Sequence, residues 1–253
     1  MSTSLPMGFA DAVRQLAALG FAYVDIVGEV DRKDADREAL ADSGLIVSCA
    51  AIGRHLPEGC SVDGIGEARQ KAVKMMKEQL ADAARLGATC AYILPGRDES
   101  PQGLKRFADS CKELVDDATG RMIRLCLEHF PGKALDSVRK TIEFMEKVEN
   151  LYLLLDIGHC LICNEEPAEM IEWAGNRLGY VHLDDNDGEE DLHWPLLTGR
   201  LTRKQLQSAF QALGTVHYRG VVALEFNPVH PDPVSALAAS KNLVEGLLAE
   251  SFS

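Results

Sequence analysis

The stretch LYLLLDIGHC, residues 151–160, joins an apolar run directly to Asp156, and His159 follows three positions later. A short apolar run that ends in a charged residue is typical of a buried strand. A carboxylate at the end of such a strand destabilises the fold unless another group compensates its charge. Asp156 therefore requires a partner that other segments of the chain supply.

Seven apolar segments of this kind alternate with stretches of helical periodicity. The predicted strands are residues 22–28, 45–52, 90–96, 122–128, 151–156, 180–185 and 221–227. The predicted helical stretches include residues 8–20, 67–87, 104–120, 134–148, 201–214 and 233–250. This alternation predicts an α/β fold in which helices cover a parallel sheet. Several helical stretches end in glycines that are predicted as left-handed caps, namely Gly20, Gly87, Gly120 and Gly214.

Strand and helix pairs of this length predict a (β/α)8 TIM barrel. Only residues 2–5 precede the first predicted helix, so we expect the first strand of the barrel to be short or missing from the chain. The sequence has no Pro/Gly/Ser-rich linker and no break in composition. A barrel of this size commonly forms one domain, and we predict a single domain over residues 1–253.

The charge of the chain limits its partners. Asp and Glu number 39 against 26 Lys and Arg, which gives a net charge of -13 and disfavours nucleic acid and anionic membranes as partners. No apolar run reaches the roughly 18 residues of a membrane span, and the N-terminus lacks the pattern of a signal peptide. Seven cysteines without framework spacing indicate reduced thiols. We expect a cytoplasmic protein that acts on a small molecule.

Four polar residues lie at the ends of the last four predicted strands: Glu128, Asp156, His182 and Glu225. Active sites of TIM barrels form at the carboxyl ends of the strands. Because side chains alternate along a strand, Glu225 shares a face of residues 221–227 with small residues, and this face points to the barrel interior. The same alternation directs the other three side chains inward. We predict that three carboxylates and one imidazole converge.

Converging carboxylates repel one another, whereas a divalent ion neutralises them and binds their oxygens. Three oxygen ligands and one nitrogen ligand best suit Mn²⁺ or Co²⁺, while Mg²⁺ and Zn²⁺ also accept such a set. Each polar residue alone has an ordinary structural explanation, such as capping a helix or pairing with arginine. Their occurrence on four consecutive strands favours a site for one divalent ion.

Five motifs around these residues resemble those of a known group of barrels. The motifs are LCLEHF (125–130), LLLDIGHC (153–160), VHLDDNDG (181–188), DLHWPLLTG (191–199) and VALEFNP (222–228). They are similar to the metal-site motifs of the xylose isomerase-like barrel superfamily, which includes ketose 3-epimerases, hydroxypyruvate isomerases, inosose dehydratases and the apurinic-site endonuclease. The resemblance implies Glu128, Asp156, His182 and Glu225 as metal ligands. It also implies Glu128 and Glu225 as the acid/base pair and His159 as a substrate contact.

The sequence departs from the endonuclease branch of this superfamily. That branch binds three zinc ions and has a histidine where this chain has Leu94. Asp191 and His193 do match its additional ligand pair. Residues 197–200 read Leu-Thr-Gly-Arg, where relatives often have Gly-Glu-Gly. These differences argue against a complete trinuclear site.

Further candidates for substrate contacts lie on the same face of the predicted barrel. His193 belongs to an acidic, aromatic loop that is placed to cover the metal centre. His55 and Arg97 follow the strands predicted at residues 45–52 and 90–96. Together with His159, they are the candidate substrate-binding residues.

The leading hypothesis is a metal-dependent isomerase or epimerase that acts through an enediolate on a small keto-sugar. An inosose-type dehydratase uses the same chemistry and is the nearest alternative. A phosphodiesterase related to the apurinic-site endonuclease and a sugar-binding or regulatory protein are two further alternatives. The sequence leaves the substrate and the oligomeric state open, with a homodimer as one candidate assembly.

Overall fold

Seven parallel strands form one sheet in which each strand pairs with the next along the chain. The computed structural model describes residues 2–251. The strands are β1 (Tyr23–Val27), β2 (Ile46–Ala51), β3 (Cys90–Ile93), β4 (Arg124–Glu128), β5 (Tyr152–Asp156), β6 (Leu178–Leu183) and β7 (Val222–Leu224). All seven predicted strands are confirmed. The sheet curves into a nearly closed barrel with helices between the strands, as the sequence predicts.

The helices connect successive strands on the outside of the barrel. They are α1 (Phe9–Ala18), α2 (Asp34–Ser43), α3 (Glu67–Arg85), α4 (Pro101–Gly120), α5 (Val138–Met145), α6 (Ile157–Ile162), α7 (Pro167–Ala174), α8 (Arg203–Thr215) and α9 (Pro233–Ser251). The six predicted helical stretches are confirmed. The sequence reasoning missed α2, α6 and α7, because α2 is mostly polar and the other two have only six and eight residues.

Two of the four predicted glycine caps are confirmed and two are wrong. Gly20 and Gly87 have left-handed backbones, with φ of 75° and 80°. Gly120 and Gly214 instead lie within α4 and α8. Gly120 is the last residue of α4, and α8 continues one residue past Gly214. Both helices close where a later N–H group reaches a carbonyl of the last turn. The left-handed residues there are Met122 and His217, with φ of 61° and 55°.

The alternation of side chains along the strands is confirmed by two separate layers of buried residues. Residues such as Leu125, Leu153 and Val181 face the helices and belong to the main hydrophobic core. The barrel interior contains a second group, made of Cys49, Ala51, Cys90, Tyr92, Cys126, Leu154 and Tyr180. This inner layer fills the barrel below the strand ends, so the polar residues above it have a packed floor.

The barrel remains open between β1 and β7, which do not pair within residues 2–251. A cavity of about 410 Å³ lies there, lined by both strands and by α9. The expected first strand is absent from the described residues, because Ser2–Ser4 form a 3-10 turn instead. The backbone N–H of Phe226 donates to the Ser4 hydroxyl at 3.0 Å, which ties this turn to the end of β7.

None of the helices within residues 2–251 is long and apolar enough to span a membrane.

Gly179 occupies a bulge in β6. Leu153 pairs with Leu178 and Leu154 pairs with Tyr180, so Gly179 is the extra residue between them. A Cβ added at this glycine would lie 2.4 Å from the Cys126 sulfur and 2.7 Å from the Tyr152 Cβ. We therefore expect Gly179→Ala to lower the free energy of unfolding by about 1–3 kcal/mol, measured by urea denaturation.

Gly246 provides the control for this measurement. It is exposed on α9, and an added Cβ meets nothing within 4 Å. Gly246→Ala should stabilise the protein by up to about 1 kcal/mol, since alanine is the better helix former. A Gly179→Ala variant as stable as the parent would contradict the close packing at the bulge.

Candidate metal centre and active site

The structure brings together the four polar residues predicted at the strand ends. Glu128 ends β4, Asp156 ends β5, His182 lies in β6, and Glu225 directly follows β7. All four side chains are buried, and one potential ligand atom from each lies within 4.8 Å of the others. The barrel thus holds three carboxylates and an imidazole around one point, above its packed interior.

The ring nitrogen Nδ1 of His182 faces all three carboxylates. It lies 2.7 Å from Glu225 Oε2, 3.5 Å from Glu128 Oε1 and 3.9 Å from Asp156 Oδ2. Despite the short distance to Glu225, Nδ1 makes no well-aligned hydrogen bond, and Asp156 Oδ2 also lacks a partner. Buried polar atoms without partners are costly. Three oxygens and one nitrogen in this arrangement fit a divalent cation such as Mn²⁺ or Co²⁺.

The ionisation of the cluster shows how strongly it requires positive charge. Burial raises the pKa of Glu128. Burial opposes ionisation of Glu225 as well, yet a charge on His182 outweighs it and lowers the pKa of Glu225. In return, Glu225 outweighs the burial of His182 and raises the pKa of the imidazole. In the absence of an ion, protonated His182 therefore supplies the cation that the carboxylates require.

Asp156 has a second role that explains the sequence around it. Its Oδ1 accepts a hydrogen bond from the backbone N–H of His159 at 2.9 Å and so caps the start of α6. Its own backbone N–H donates to Nε2 of the buried His129 at 3.2 Å. The strand therefore passes directly into a helix, which leaves Asp156 Oδ2 free to face the cluster and places His159 one turn further on.

His159 and His193 share a carboxylate beside the cluster. Asp191 Oδ1 lies 3.3 Å from Nε2 of each histidine. Nδ1 of His159 contacts the His129 carbonyl at 2.8 Å, and Nδ1 of His193 contacts Asp184. Although burial opposes protonation, nearby carboxylates raise the pKa of His159 to about 10. The structure thus brings His159, His193 and Asp191 together at the edge of the site.

The loop that carries Asp191 and His193 is held in place by Asp185. Its carboxylate accepts hydrogen bonds from the backbone N–H groups of Gly199 and Leu201 at 2.7 and 2.8 Å. The backbone of Asp185 also forms an antiparallel bridge with Trp194. The Leu-Thr-Gly-Arg segment that departs from the relatives' pattern therefore closes the loop through hydrogen bonds to Asp185.

His55 and Arg97 do not belong to the metal cluster. Both are exposed on the loops that follow β2 and β3. They line a cavity of about 590 Å³ at the carboxyl ends of the strands. Leu94, which replaces a histidine of the endonuclease branch, packs against the interior layer of the barrel.

The sequence reasoning missed two residues that adjoin the cluster. The guanidinium of Arg54 lies 3.6 Å from Glu225 Oε1, and its side chain is 35% exposed. The hydroxyl of Tyr92 is buried without a hydrogen-bond partner, and its ring meets His182 edge-on at 5.3 Å. The inward alternation of β3 is the signal that identifies Tyr92. Arg54 lies on a loop, and no periodic pattern identifies it.

Asp25 in β1 is a further residue that sequence reasoning missed. Its Oδ1 accepts hydrogen bonds from the hydroxyls of Ser48 and Tyr180, both at 2.6 Å. Its Oδ2 lies 3.6 Å from Nε2 of His182, on the side of the ring opposite the cluster. A carboxylate in this position orients a metal-binding imidazole and keeps its other nitrogen free for the metal.

The fold and the site define a TIM barrel with a cluster of metal-type ligands at the carboxyl ends of its strands. The sequence profile of the family described as xylose isomerase-like TIM barrel matches residues 13–245. The chain belongs to this family, as the resemblance of its motifs predicts.

Individual relatives resemble the chain over nearly its whole length. The L-ribulose-5-phosphate 3-epimerase of Salmonella paratyphi A is 23% identical to this chain, and the match covers 98% of this chain and 93% of that protein. A crystal structure of D-allulose 3-epimerase from Methylomonas sp. has a TM-score of 0.81 at 20% identity, with 94% and 91% of the two chains covered. The AP endonuclease, family 2, from Brucella melitensis has a TM-score of 0.77 at 20% identity, with 95% and 96% covered. The two structural likenesses establish the fold.

The cluster predicts that Asp156→Ala abolishes binding of a divalent ion. The parent should bind one Mn²⁺ or Co²⁺ per chain and gain about 2.7 kcal/mol of stability at an ion concentration 100 times Kd. The variant should show neither effect, because it lacks the Oδ2 ligand atom. Elemental analysis and thermal unfolding with added ion test both statements.

Asp42→Ala, an exposed substitution on α2, is the control and should bind the ion as the parent does. Unchanged ion binding by Asp156→Ala would contradict the assigned ligand set. Two or three ions per parent chain would instead favour a multinuclear site.

The contact between Asp25 and His182 predicts a second effect on ion affinity. Asp25→Asn keeps the size of the side chain and its ability to accept from Ser48 and Tyr180, but it removes the negative charge behind the imidazole. We expect its affinity for Co²⁺ to fall by about 10- to 100-fold, measured by titration of the visible absorption of the bound ion. Asp42→Asn should leave the affinity unchanged. Equal affinities for all three proteins would show that Asp25 does not orient the ligand.

Proposed function

We propose that the protein is a divalent-metal-dependent isomerase or epimerase that acts on a small keto-sugar, with epimerisation next to the carbonyl as its specific reaction. The convergence of Glu128, Asp156, His182 and Glu225 beside a cavity is the observation that carries this proposal. The names of the relatives support it, since one is a 3-epimerase of a phosphorylated ketose and another a 3-epimerase of a free ketose. The acidic chain fits a small cytoplasmic substrate better than nucleic acid or a membrane.

The residues present would hold a divalent ion through three carboxylates and His182. When bound, such an ion supplies electrostatic stabilisation to the negative charge that develops on adjacent oxygens of an enediolate. Glu128 and Glu225 come from β4 and β7, with two strands between them, and so approach the centre from different sides. One carboxylate would remove the proton from the carbon next to the carbonyl. The other, protonated beforehand, would donate its own proton to the opposite face of that carbon and thereby invert it.

Several donors around the cluster are placed to hold substrate oxygens. His159 is held at Nδ1 by the His129 carbonyl, and its Nε2 lies 3.3 Å from Asp191 without a hydrogen-bond partner. The Tyr92 hydroxyl and the Arg54 guanidinium reach the cluster from the β3 side of the site. Under this proposal they bind the carbonyl and hydroxyl oxygens of the sugar. A fixed set of donors lowers the entropic cost of orienting the reacting carbon.

A dehydratase acting on a polyol ketone remains the nearest alternative, because it shares the enediolate and differs only in the loss of water that follows. Phosphodiester hydrolysis is the second candidate. The position of Asp191 between His159 and His193 favours it, since this group resembles an additional metal site. Leu94 and the net charge of -13 argue against it.

Replacement of each glutamate by glutamine separates proton transfer from ion binding. Glu225→Gln and Glu128→Gln keep a ligating oxygen but remove the basic site. We expect turnover to fall by about 10²- to 10⁴-fold while most of the ion remains bound. With a panel of keto-sugars in deuterated water, each variant should still exchange the carbon-bound proton of one epimer and fail to complete the interconversion.

Glu149→Gln is the matched control, since Glu149 is exposed and precedes the amino-terminal end of β5, whereas Asp156 lies at its carboxyl end. It should retain full turnover. Near-parental turnover by both active-site variants would mean that neither glutamate is the base and would move that role to His159 or His193.

A further inference from the structure

The cavity lined by His55 and Arg97 adjoins residues that contact the metal cluster. The cavity of about 590 Å³ lies between the loops that follow β2, β3 and β4. Arg54 lines it and also reaches Glu225 at 3.6 Å. Phe130 lines it as well, and its ring lies 4.9 Å from the ring of His159. Arg54 and Phe130 therefore adjoin both the cavity and the residues around the metal cluster.

The charge of this cavity is opposite to that of the protein as a whole. Three cationic side chains line it: Arg54, Arg97 and Lys133. No Asp or Glu is found among the described residues that line it, although acidic residues outnumber basic ones in the sequence by 39 to 26. A cleft lined by one sign of charge concentrates ligands of the opposite sign.

Arg54 is paired with Glu225, whose Oε1 lies 3.6 Å from its guanidinium group. The charge of Asp63 acts on Lys133, but the hydrogen bonds of Asp63 come from backbone and hydroxyl groups. Its Oδ2 accepts hydrogen bonds from the backbone N–H groups of Arg97 and Asp98, both at 2.8 Å, and its other oxygen contacts the Ser61 hydroxyl. Its charge is thus bound to the backbone of the loop. The side chains of Arg97 and Lys133 form no ion pair with any residue from 2 to 251.

The two cations also affect each other. Partial burial and the positive charge of Arg97 lower the pKa of Lys133, and they outweigh the charge of Asp63, which raises it. Like charges that face one cavity without a counterion destabilise the protein, and an anion in the cavity removes that cost. The arrangement is therefore that of an anion-binding site.

We propose that this cavity binds the phosphate group of a phosphorylated ketose whose carbonyl end lies at the metal cluster. This inference rests on the proposed function and specifies its substrate class. A phosphate carries close to two negative charges and three acceptor oxygens, which match two guanidinium groups and an ammonium group better than a single carboxylate does. Three carboxylates outweigh one divalent ion and leave the metal centre negative, so a dianionic substrate requires such cations nearby.

The first experiment compares a pentulose and its 5-phosphate as substrates of the metal-loaded, full-length chain. The parent should favour the phosphorylated sugar in kcat/KM by on the order of 10- to 100-fold or more. Arg97→Gln and Lys133→Gln should each raise KM for the phosphorylated sugar by on the order of 10- to 100-fold, and by more than they change KM for the free sugar. Lys204→Gln, an exposed substitution on α8, should change neither.

The second experiment measures inorganic phosphate alone by calorimetric titration of the Mg²⁺-loaded protein, so that it does not depend on turnover. The parent and Lys204→Gln should bind phosphate, and the Arg97→Gln/Lys133→Gln double variant should not. Circular dichroism confirms that the variants are folded. Phosphate binding without proton exchange on any ketose would overturn the proposed function while keeping the anion site.

Other outcomes overturn the inference and leave the proposed function intact. One is epimerisation of the free and phosphorylated sugars with equal kcat/KM together with no phosphate binding. Another is binding of a sugar carboxylate that depends on Arg97 while phosphate does not bind, which would assign the cavity to sugar acids.

Discussion

The compensation of three buried carboxylates is the constraint on which the rest of the site depends. Glu128, Asp156 and Glu225 lie at the ends of different strands, and barrel closure brings them together above a packed interior. All three are largely buried, so their repulsion is weakly screened and favours a cation beside them. Within the chain, His182 is the cation placed among all three. A protonated imidazole satisfies the charge only in part, which is why Asp156 Oδ2 remains without a partner.

Two other buried carboxylates, those of Asp25 and Asp185, support the metal cluster without being part of it. Asp25 receives two hydroxyl hydrogen bonds that fix its orientation behind His182. Asp185 accepts hydrogen bonds from two backbone N–H groups and thereby positions the loop that carries His193. Each of these acids is buried, and its hydrogen bonds offset the cost of burying its charge. The chain therefore places some of its acidic residues where backbone or hydroxyl donors replace water, and others in a cluster that could hold a metal ion.

The parts of the molecule that sequence predicts are those determined by local pattern. Apolar runs locate the strands, and alternation along them assigns Glu225 and Leu154 to the interior. Asp25 was not found because its significance depends on Tyr180, which is 155 residues away in sequence and meets it only after the barrel forms. Arg54 lies on a loop whose path no periodicity specifies. The wrong caps at Gly120 and Gly214 have a similar cause, since each helix ends where a later N–H group reaches the last turn.

Negative and positive side chains occupy different sides of the site at the carboxyl ends of the strands. Carboxylates gather at β4 to β7, whereas Arg97 and Lys133 line the cavity beyond β2 to β4, and Arg54 lies between the two regions. A substrate with one neutral, oxygen-rich end and one anionic end fits this field in a single orientation. A single orientation presents the same carbon to Glu128 and Glu225 in every binding event. The charges of Arg97 and Lys133, which are remote from the reacting atoms, would then select the carbon that loses its proton. Glu128 and Glu225 would not need to distinguish between the carbons of the substrate.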